Sequence, residues 1–406
     1  MTEIILASLT IIALLLALTL IILSARRRLI PAEAVAVTVN DTTEIAAQRG
    51  DKLLAVLHGA GLPIPAACGG SGTCGLCRVT ASGPGAGEAQ ATEKGLLSAA
   101  DRRAGVRLAC QLTLRGPVSV GVAGDVLAAE SFTCRVVSNR MLAPLIRELV
   151  LELPKGQRFD FRAGGFAQLT APAYRLDFAR MDVDAAHIDA WHEAGWSRLR
   201  AHNPAPVSRA YSIASRPEDE GTIVFNIRLA VPPAGQEDTI PPGLVSSWLF
   251  SLRPGDQVET AGPFGEFHVQ PTQAEMVFIG GGVGMAPLRA MIHEQLGQGT
   301  GRRISYFYGA RTAADLFYTD EFEALARAHP NFDWTVALTD PAPGDQWTGP
   351  AGFIHETLRD ALRRHPAPED CEYYLCGPPV MISAVMATLA RLGVEPQSIF
   401  NDDFGA

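Results

Sequence analysis

Three cysteines fall within the eleven residues ACGGSGTCGLC, Ala67 to Cys77, in a chain of 406 residues that carries seven cysteines in all. Cys68, Cys74 and Cys77 are separated by five and then two residues, and Cys110 follows after thirty-two more in RLACQLTL. A loop plus one distant strand therefore offers four thiolates, the donor set of a [2Fe-2S] cluster. Gly69, Gly70, Gly72 and Gly75 suit a loop wrapped round such a cluster, because it needs unusual backbone angles and N–H groups aimed at sulfur. Zinc ribbons are the competing reading, but they usually use two close pairs and this chain has one. An odd cysteine count with three thiols in one cluster fits a disulfide framework poorly and a reducing compartment better. Cys134, Cys371 and Cys376 are too scattered to make another site of this kind.

The other strong constraint lies at the start of the chain. Ile4 to Leu23 runs for twenty residues without a charge, about the ~20 a helix needs to cross a bilayer. Glu3 precedes it and Arg26, Arg27 and Arg28 follow, so the positive-inside rule leaves the N-terminus outside and the rest in the cytoplasm. A signal peptide would carry its basic residues on the other side. The span holds no ionisable residue and reads as an anchor, not an ion path. A formal charge of -9 argues against a phosphate-neutralising surface and hence against nucleic acid as a partner.

Past the anchor (1–30) the pattern changes twice. Residues 31–130 hold the cysteines and end in the alternating VSVGVAG, a last strand and turn. Residues 131–274 place β-type segments such as RELVLEL, FAQLTA and TIVFNIRLAV between Pro- and Gly-bearing turns, the pattern of a small antiparallel β-barrel. Residues 275–406 alternate apolar strands with amphipathic helices, from EMVFIGGGVGMAPLRAMIHEQL to EYYLCGPPVMISAVMATLARLG, as a parallel α/β sheet does. The predicted fold class is thus multidomain α/β and β, with a transmembrane helix, a cysteine-bearing domain, an antiparallel barrel and a parallel α/β domain.

In the barrel block, SRAYSIAS puts Arg209 and Tyr211 on one face of a strand, a cation for pyrophosphate and a phenol to lie on a flavin ring, with the Ser212 hydroxyl for the ring's polar rim. PPGLVSSWLF offers Gly243 and Ser246 at a helix start, where free N–H groups suit a pyrophosphate. In the third block FIGGGVGMAP reads as strand, then Gly280, Gly281, Gly282 and Gly284, then Met285, Ala286 and Pro287 opening a helix. Such a turn brings backbone and helix N-terminus close to dinucleotide phosphates. YLCGPP brings Cys376, Gly377 and Pro378 to the end of a strand expected beside the first.

These elements resemble known ones. ACGGSGTCGLC with LACQ is similar to a ferredoxin domain of adrenodoxin-like spacing, which implies a [2Fe-2S] ferredoxin β-grasp domain over residues 31–130. The Arg-x-Tyr-Ser strand, the GPFGEF loop, the glycine turn and the Cys-Gly-Pro turn, in that order, resemble the ferredoxin-NADP reductase superfamily, which binds FAD. There the Cys-Gly-Pro turn lies where nicotinamide meets flavin, which implies a catalytic position for Cys376. The order of anchor, ferredoxin, FAD and NADH blocks, the insert from about Pro172 to Val207 and the ending DDFGA resemble the F-subunit family of bacterial sodium-translocating NADH:quinone oxidoreductases. That resemblance implies the following: Phe404 stacked on the flavin; NADH as substrate; electrons passed from FAD through the cluster to other membrane subunits and finally quinone, with sodium moved by those subunits; and a place in the bacterial inner membrane with the N-terminus periplasmic. Ala406 stands where relatives often end in glycine. A membrane-anchored ferredoxin or oxygenase reductase would use the same cofactors with a different acceptor, and a redox sensor would hold them without turnover. His187, His192 and His202 of the insert share no helical face and are expected to be solvated or interdomain residues. After the second strand of the third block, Arg311 could meet a 2'-phosphate but Asp315 would repel it, so NADH is expected over NADPH.

Overall fold

The computed structural model describes residues 14–19, 33–66 and 68–403. Residues 14–19 are helical, and no helix among the described residues is long and apolar enough to cross a membrane. Most of the expected span, with Ala67 and Phe404, lies outside them.

Two compact units form: one from the residues up to Ile64 with Cys77–Ala123, the other from Pro65–Leu76 with everything from Gly124 on. The first is a mixed sheet of β1 (Ala34–Val39), β2 (Thr43–Gln48), β3 (Arg78–Ser82), β4 (Val106–Leu108) and β5 (Val118–Gly121) in the order β2-β1-β5-β3-β4. Alternation along β1 buries Val35, Val37 and Val39, the arrangement a period-2 strand dictates, and one side of a helix in this unit is buried too. The helix is Leu53–Gly59, whose Leu53, Leu54 and Leu57 are buried. A buried ion pair pins the glycine-rich turn after β3: Arg107 donates to both Glu93 carboxylate oxygens at 2.8 and 2.9 Å, and to the carbonyls of Ala86 and Gly87.

The second unit contains two sheets. Strands β6 (Glu130–Ala143), β7 (Ile146–Glu152), β8 (Phe166–Ala171), β11 (Val207–Ser212), β12 (Thr222–Arg228) and β13 (Gln257–Phe264) make an antiparallel sheet in the order β11-β8-β13-β6-β7-β12. An antiparallel bridge between Ile213 and Phe225 joins its two edges, so the sheet curls into the expected barrel. The insert folds as a separate two-stranded pair, β9 (Tyr174–Asp177) with β10 (Arg200–Asn203), around the short helix Ile188–Glu193.

The second sheet comprises β14 (Met276–Gly281), β15 (Ile304–Ala310), β16 (Phe332–Leu338), β17 (Glu372–Gly377) and β18 (Ile399–Asp403), all parallel, in the order β16-β15-β14-β17-β18. Every residue of β14 and β17 is buried, as strands covered by helices on both faces must be. From β14 the chain builds outward to β15 and β16, then returns to lay β17 on the other side. The strand order therefore reverses between β14 and β17, and the crevice beyond their carboxyl ends is where such sheets take ligands.

Candidate functional site

A cavity of about 1260 Å³ opens within the second unit, walled by β11, the start of the helix Leu244–Ser251, the outer face of β12 and the carboxyl ends of β14 and β17. On the barrel side Arg209, Tyr211 and Ser212 all line it. The Arg209 guanidinium donates to the Ser208 carbonyl at 2.9 Å and lies where a side chain on Gly69 would have to go. Burial pushes the Tyr211 phenol above its ordinary range, so it stays neutral. Ser212 is buried, and its hydroxyl donates to Asp402 Oδ2 at 3.2 Å.

Gly243 precedes the helix without a side-chain cap, and Ser246 faces the cavity from the first turn. The first N–H groups of a helix have no intrahelical acceptor. The Ser246 hydroxyl, however, accepts from Ala230 N–H at 3.2 Å and donates to the Gly243 carbonyl at 3.3 Å. It thereby braces the turn.

On the parallel-sheet side Gly281, Gly282, Gly284, Ala286, Gly377 and Pro378 line the cavity. A Cβ on Gly284 would overlap the Cys376 carbonyl, so only glycine lets the turn after β14 pass so close to the end of β17. The other predicted residues are turned away. Gly280 is buried against Tyr306; Met285 is fully buried, its sulfur accepting from Tyr306 O–H at 3.2 Å; Pro287 is buried in the first turn of the helix Met285–Gly297. The Cys376 side chain also joins the apolar core under the sheet and is absent from the cavity wall. Its position at the strand end comes from the parallel register Gly280 to Cys376, but that register aims its side chain inward. Past β15, Arg311 Nε lies 3.6 Å from Asp315 Oδ2, and Asp315 in turn accepts from the Thr312 N–H and O–H at 3.1 and 3.0 Å.

Two of the four expected cluster cysteines, Cys68 and Cys74, share the glycine-rich loop. Cys68 and Cys74 sulfurs are 3.3 Å apart. Burial pushes the Cys68 thiol up, but hydrogen bonds from Ser71 and from the Cys74 and Thr73 N–H groups prevail and bring it down to about 5. Burial pushes Cys74 up. In the first unit Cys77 ends the loop just before β3 and Cys110 stands two residues past β4, in a turn, not on the strand expected to carry it. Pairing of Arg78 with Leu108 sets these two segments side by side, and Ala109 N–H donates to the Cys77 carbonyl at 2.8 Å. Cys134 and Cys371 differ: burial drives them to about 11 and about 12, the state of inert core thiols.

Three cavity residues escape a reading of the sequence. Asp402 arrives through β18, whose register sets it beside Cys376. Asn226 and Arg228 lie on the outer face of β12, where Ile223, Phe225 and Ile227 take the core; strict alternation in TIVFNIR carries that signal. Asn226 donates to Tyr318 Oη at 2.9 Å while its own buried carbonyl oxygen has no partner among the described residues.

Three family models match the chain: 2Fe-2S iron-sulfur cluster binding domain over residues 37–115, oxidoreductase FAD-binding domain over 197–269 and oxidoreductase NAD-binding domain over 278–387. The chain is 44% identical over 405 residues to the F subunit of the Na(+)-translocating NADH-quinone reductase of Marinomonas sp., covering 99% of each. It is also 44% identical over 407 residues to the F subunit of the same reductase in Methylococcus capsulatus, covering 100% of each. The chain belongs to this F-subunit family. Among solved structures, the cytochrome P450 reductase GcoB of Amycolatopsis is 26% identical with a TM-score of 0.63, matching 91% of this chain and 98% of that one. The ferredoxin reductase of a carbazole 1,9a-dioxygenase, 23% identical with a TM-score of 0.60, shares the fold.

As a member of that family the chain carries a [2Fe-2S] cluster, FAD and a site for the nicotinamide nucleotide. The residues present fit those groups. Two thiols lie close together in the glycine loop, and two more stand on segments that strand pairing sets side by side. The cavity presents an arginine, a helix start, an unpartnered buried acceptor on Asn226, and a glycine turn that a side chain would close.

Proposed function

We propose that this chain is the NADH-oxidising component of a membrane quinone reductase, taking electrons from NADH and delivering them singly to membrane partners, finally to quinone, while other subunits move sodium. One observation supports this reading above the rest: flavin-type and nucleotide-type walls face each other across a single cavity, joined by the Ser212–Asp402 hydrogen bond. When bound, FAD accepts two electrons from NADH and releases them one at a time to the [2Fe-2S] cluster.

The chain's own residues do the positioning. Arg209 and the N–H groups after Gly243 hold the flavin pyrophosphate. Tyr211, neutral, would lie against the ring and Ser212 would bond its polar edge, while the turns Gly281–Gly284 and Gly377–Pro378 would hold the nicotinamide beside it. Asp402 orients the Ser212 hydroxyl, and Phe404 is assigned to the flavin only by the family resemblance. Cys68, Cys74, Cys77 and Cys110 hold the cluster. Cys376 acts through its backbone, whose carbonyl sets the path of the glycine turn. Residues 4–23 anchor the chain with its N-terminus on the periplasmic side of the inner membrane and the folded units in the cytoplasm.

The test is a stepwise NADH titration of the purified full-length protein, followed by visible absorbance and electron spin resonance. Loss of flavin absorbance together with a reduced-cluster spin signal is expected. A flavin that NADH does not bleach, or bleaching with no spin signal, would overturn the reading. An oxygenase-type acceptor would instead show as rapid reduction of an oxygenase ferredoxin with none of a soluble quinone.

A further inference from the structure

We infer that the insert between Pro172 and Val207 completes the flavin site, with Trp196 as the platform on which the adenine of FAD stacks. The inference rests on FAD occupying the cavity described above.

The insert is fastened to the barrel by a core of its own. Phe178, Trp191, Leu199 and Ala201 are buried with Leu229 and Phe250. Trp191 is 1% exposed; its indole N–H donates to the Pro144 carbonyl at 2.7 Å and its ring stacks on Phe250 at 6.0 Å and 23°. Phe250 belongs to the helix whose first turn, Gly243 to Ser246, faces the cavity. The insert is therefore held against the element that takes the pyrophosphate.

Trp196 stands perpendicular to Trp191, at 5.9 Å and 87°, opens the turn Trp196–Arg198, and remains half-buried at the cavity wall. Its wall neighbours lead directly to the phosphate end. Leu145 packs on the same core as Trp196, and its carbonyl accepts from Leu229 N–H at 2.9 Å. The next residue, Ala230, donates to Ser246 at 3.2 Å. The nicotinamide side of the cavity is built from other elements, β14, β15 and β17. A large aromatic face left partly open beside a phosphate-binding turn, its edge fixed by a buried tryptophan, suits a flat heteroaromatic base. A mononucleotide flavin would not reach it.

The experiment uses the full-length protein freed of flavin, with FAD and FMN titrated separately and binding read from flavin fluorescence. Trp196→Ala should weaken FAD at least about tenfold, ~1.4 kcal/mol, with the FMN dissociation constant unchanged. Trp196→Leu, which keeps apolar bulk for the insert, should lose FAD affinity in the same way, and Trp196→Phe should recover most of it. Unchanged FAD affinity, an equal loss for FAD and FMN, or a loss confined to NADH would each overturn the adenine platform. Failure of the wild type to bind either flavin would instead overturn the cofactor reading itself.

Discussion

At the scale of single residues the clearest discrimination is among the thiols. Cys68 is drawn towards thiolate by hydrogen bonds, while Cys134 and Cys371 are driven the other way by burial. Replacing Cys68, Cys74, Cys77 or Cys110 with Ala should abolish the reduced-cluster spin signal and leave FAD bound, whereas Cys134→Ala and Cys371→Ala should keep both. A signal surviving in one of the first four removes that cysteine from the ligand set. Nucleotide choice also rests on one pair. Asp315 is fixed by Thr312 and engages the Arg311 side chain, so a 2'-phosphate would meet a held carboxylate before a free guanidinium. NADH should be preferred at least ~10-fold in kcat/KM, about 1.4 kcal/mol, and Asp315→Ala should narrow that margin. Equal efficiencies in the wild type would show that Arg311 binds the phosphate. Three of the four proposed cluster cysteines are legible because spacing in one loop is a local property of the chain, whereas Cys110 stands in a turn and not on the strand expected to carry it. Asp402 is not legible, because its place beside Cys376 depends on which strands become neighbours. Met285 and Cys376 belong to motifs whose backbone serves the cavity while their side chains serve the core, a division that a motif alone does not reveal.

At the scale of elements, the helices Met285–Gly297 and Thr319–Ala328 are joined by Glu321, which accepts from Arg289 at 2.6 and 3.0 Å and bonds His293 at 2.5 Å. Arg289 also reaches the Ala214 carbonyl beyond β11 at 2.6 Å, tying the nucleotide sheet to the flavin barrel. Burial raises the Glu321 carboxyl, but the His293 and Arg289 hydrogen bonds and charges outweigh it and bring it from 4.5 to about 2. A carboxyl depressed in the folded state stabilises above its unfolded value and loses that contribution as pH falls towards its folded one. Between pH 6 and pH 3 this group should therefore cost the fold about 2 kcal/mol. Denaturant unfolding across that range should show a smaller decline for Glu321→Gln than for the wild type, and parallel declines would exclude Glu321 as the source. Strands and helices of this sheet are visible in their periods, 2 and 3.6. The link is not, since Arg289 and Glu321 stand on different helices. The same holds in the ferredoxin unit, where Glu93 and Arg107, which pin the glycine-rich turn, come from separate elements and meet only through the fold.

At the scale of the molecule, the cavity-lining residues begin at Cys68 and all lie in the second unit, whereas Cys77 and Cys110 belong to the first. The path proposed from NADH to the cluster names no residue of 4–23, so anchoring and electron entry are expected to be separable. The run from Ile4 to Leu23 is twenty residues without an ionisable group, which fits the anchor proposed for it and not an ion path. Deleting residues 1–30 should move the protein from the membrane fraction to the supernatant. It should leave NADH-dependent reduction of a soluble artificial acceptor intact, while quinone reduction in reconstituted membranes falls, because the cluster no longer dwells beside its membrane partners. Fractionation and the two rates on the same preparations decide the point. A truncated chain still bound to membranes after a high-salt wash would mean that the folded units carry the membrane attachment, and loss of artificial-acceptor activity would mean that the segment takes part in forming the site.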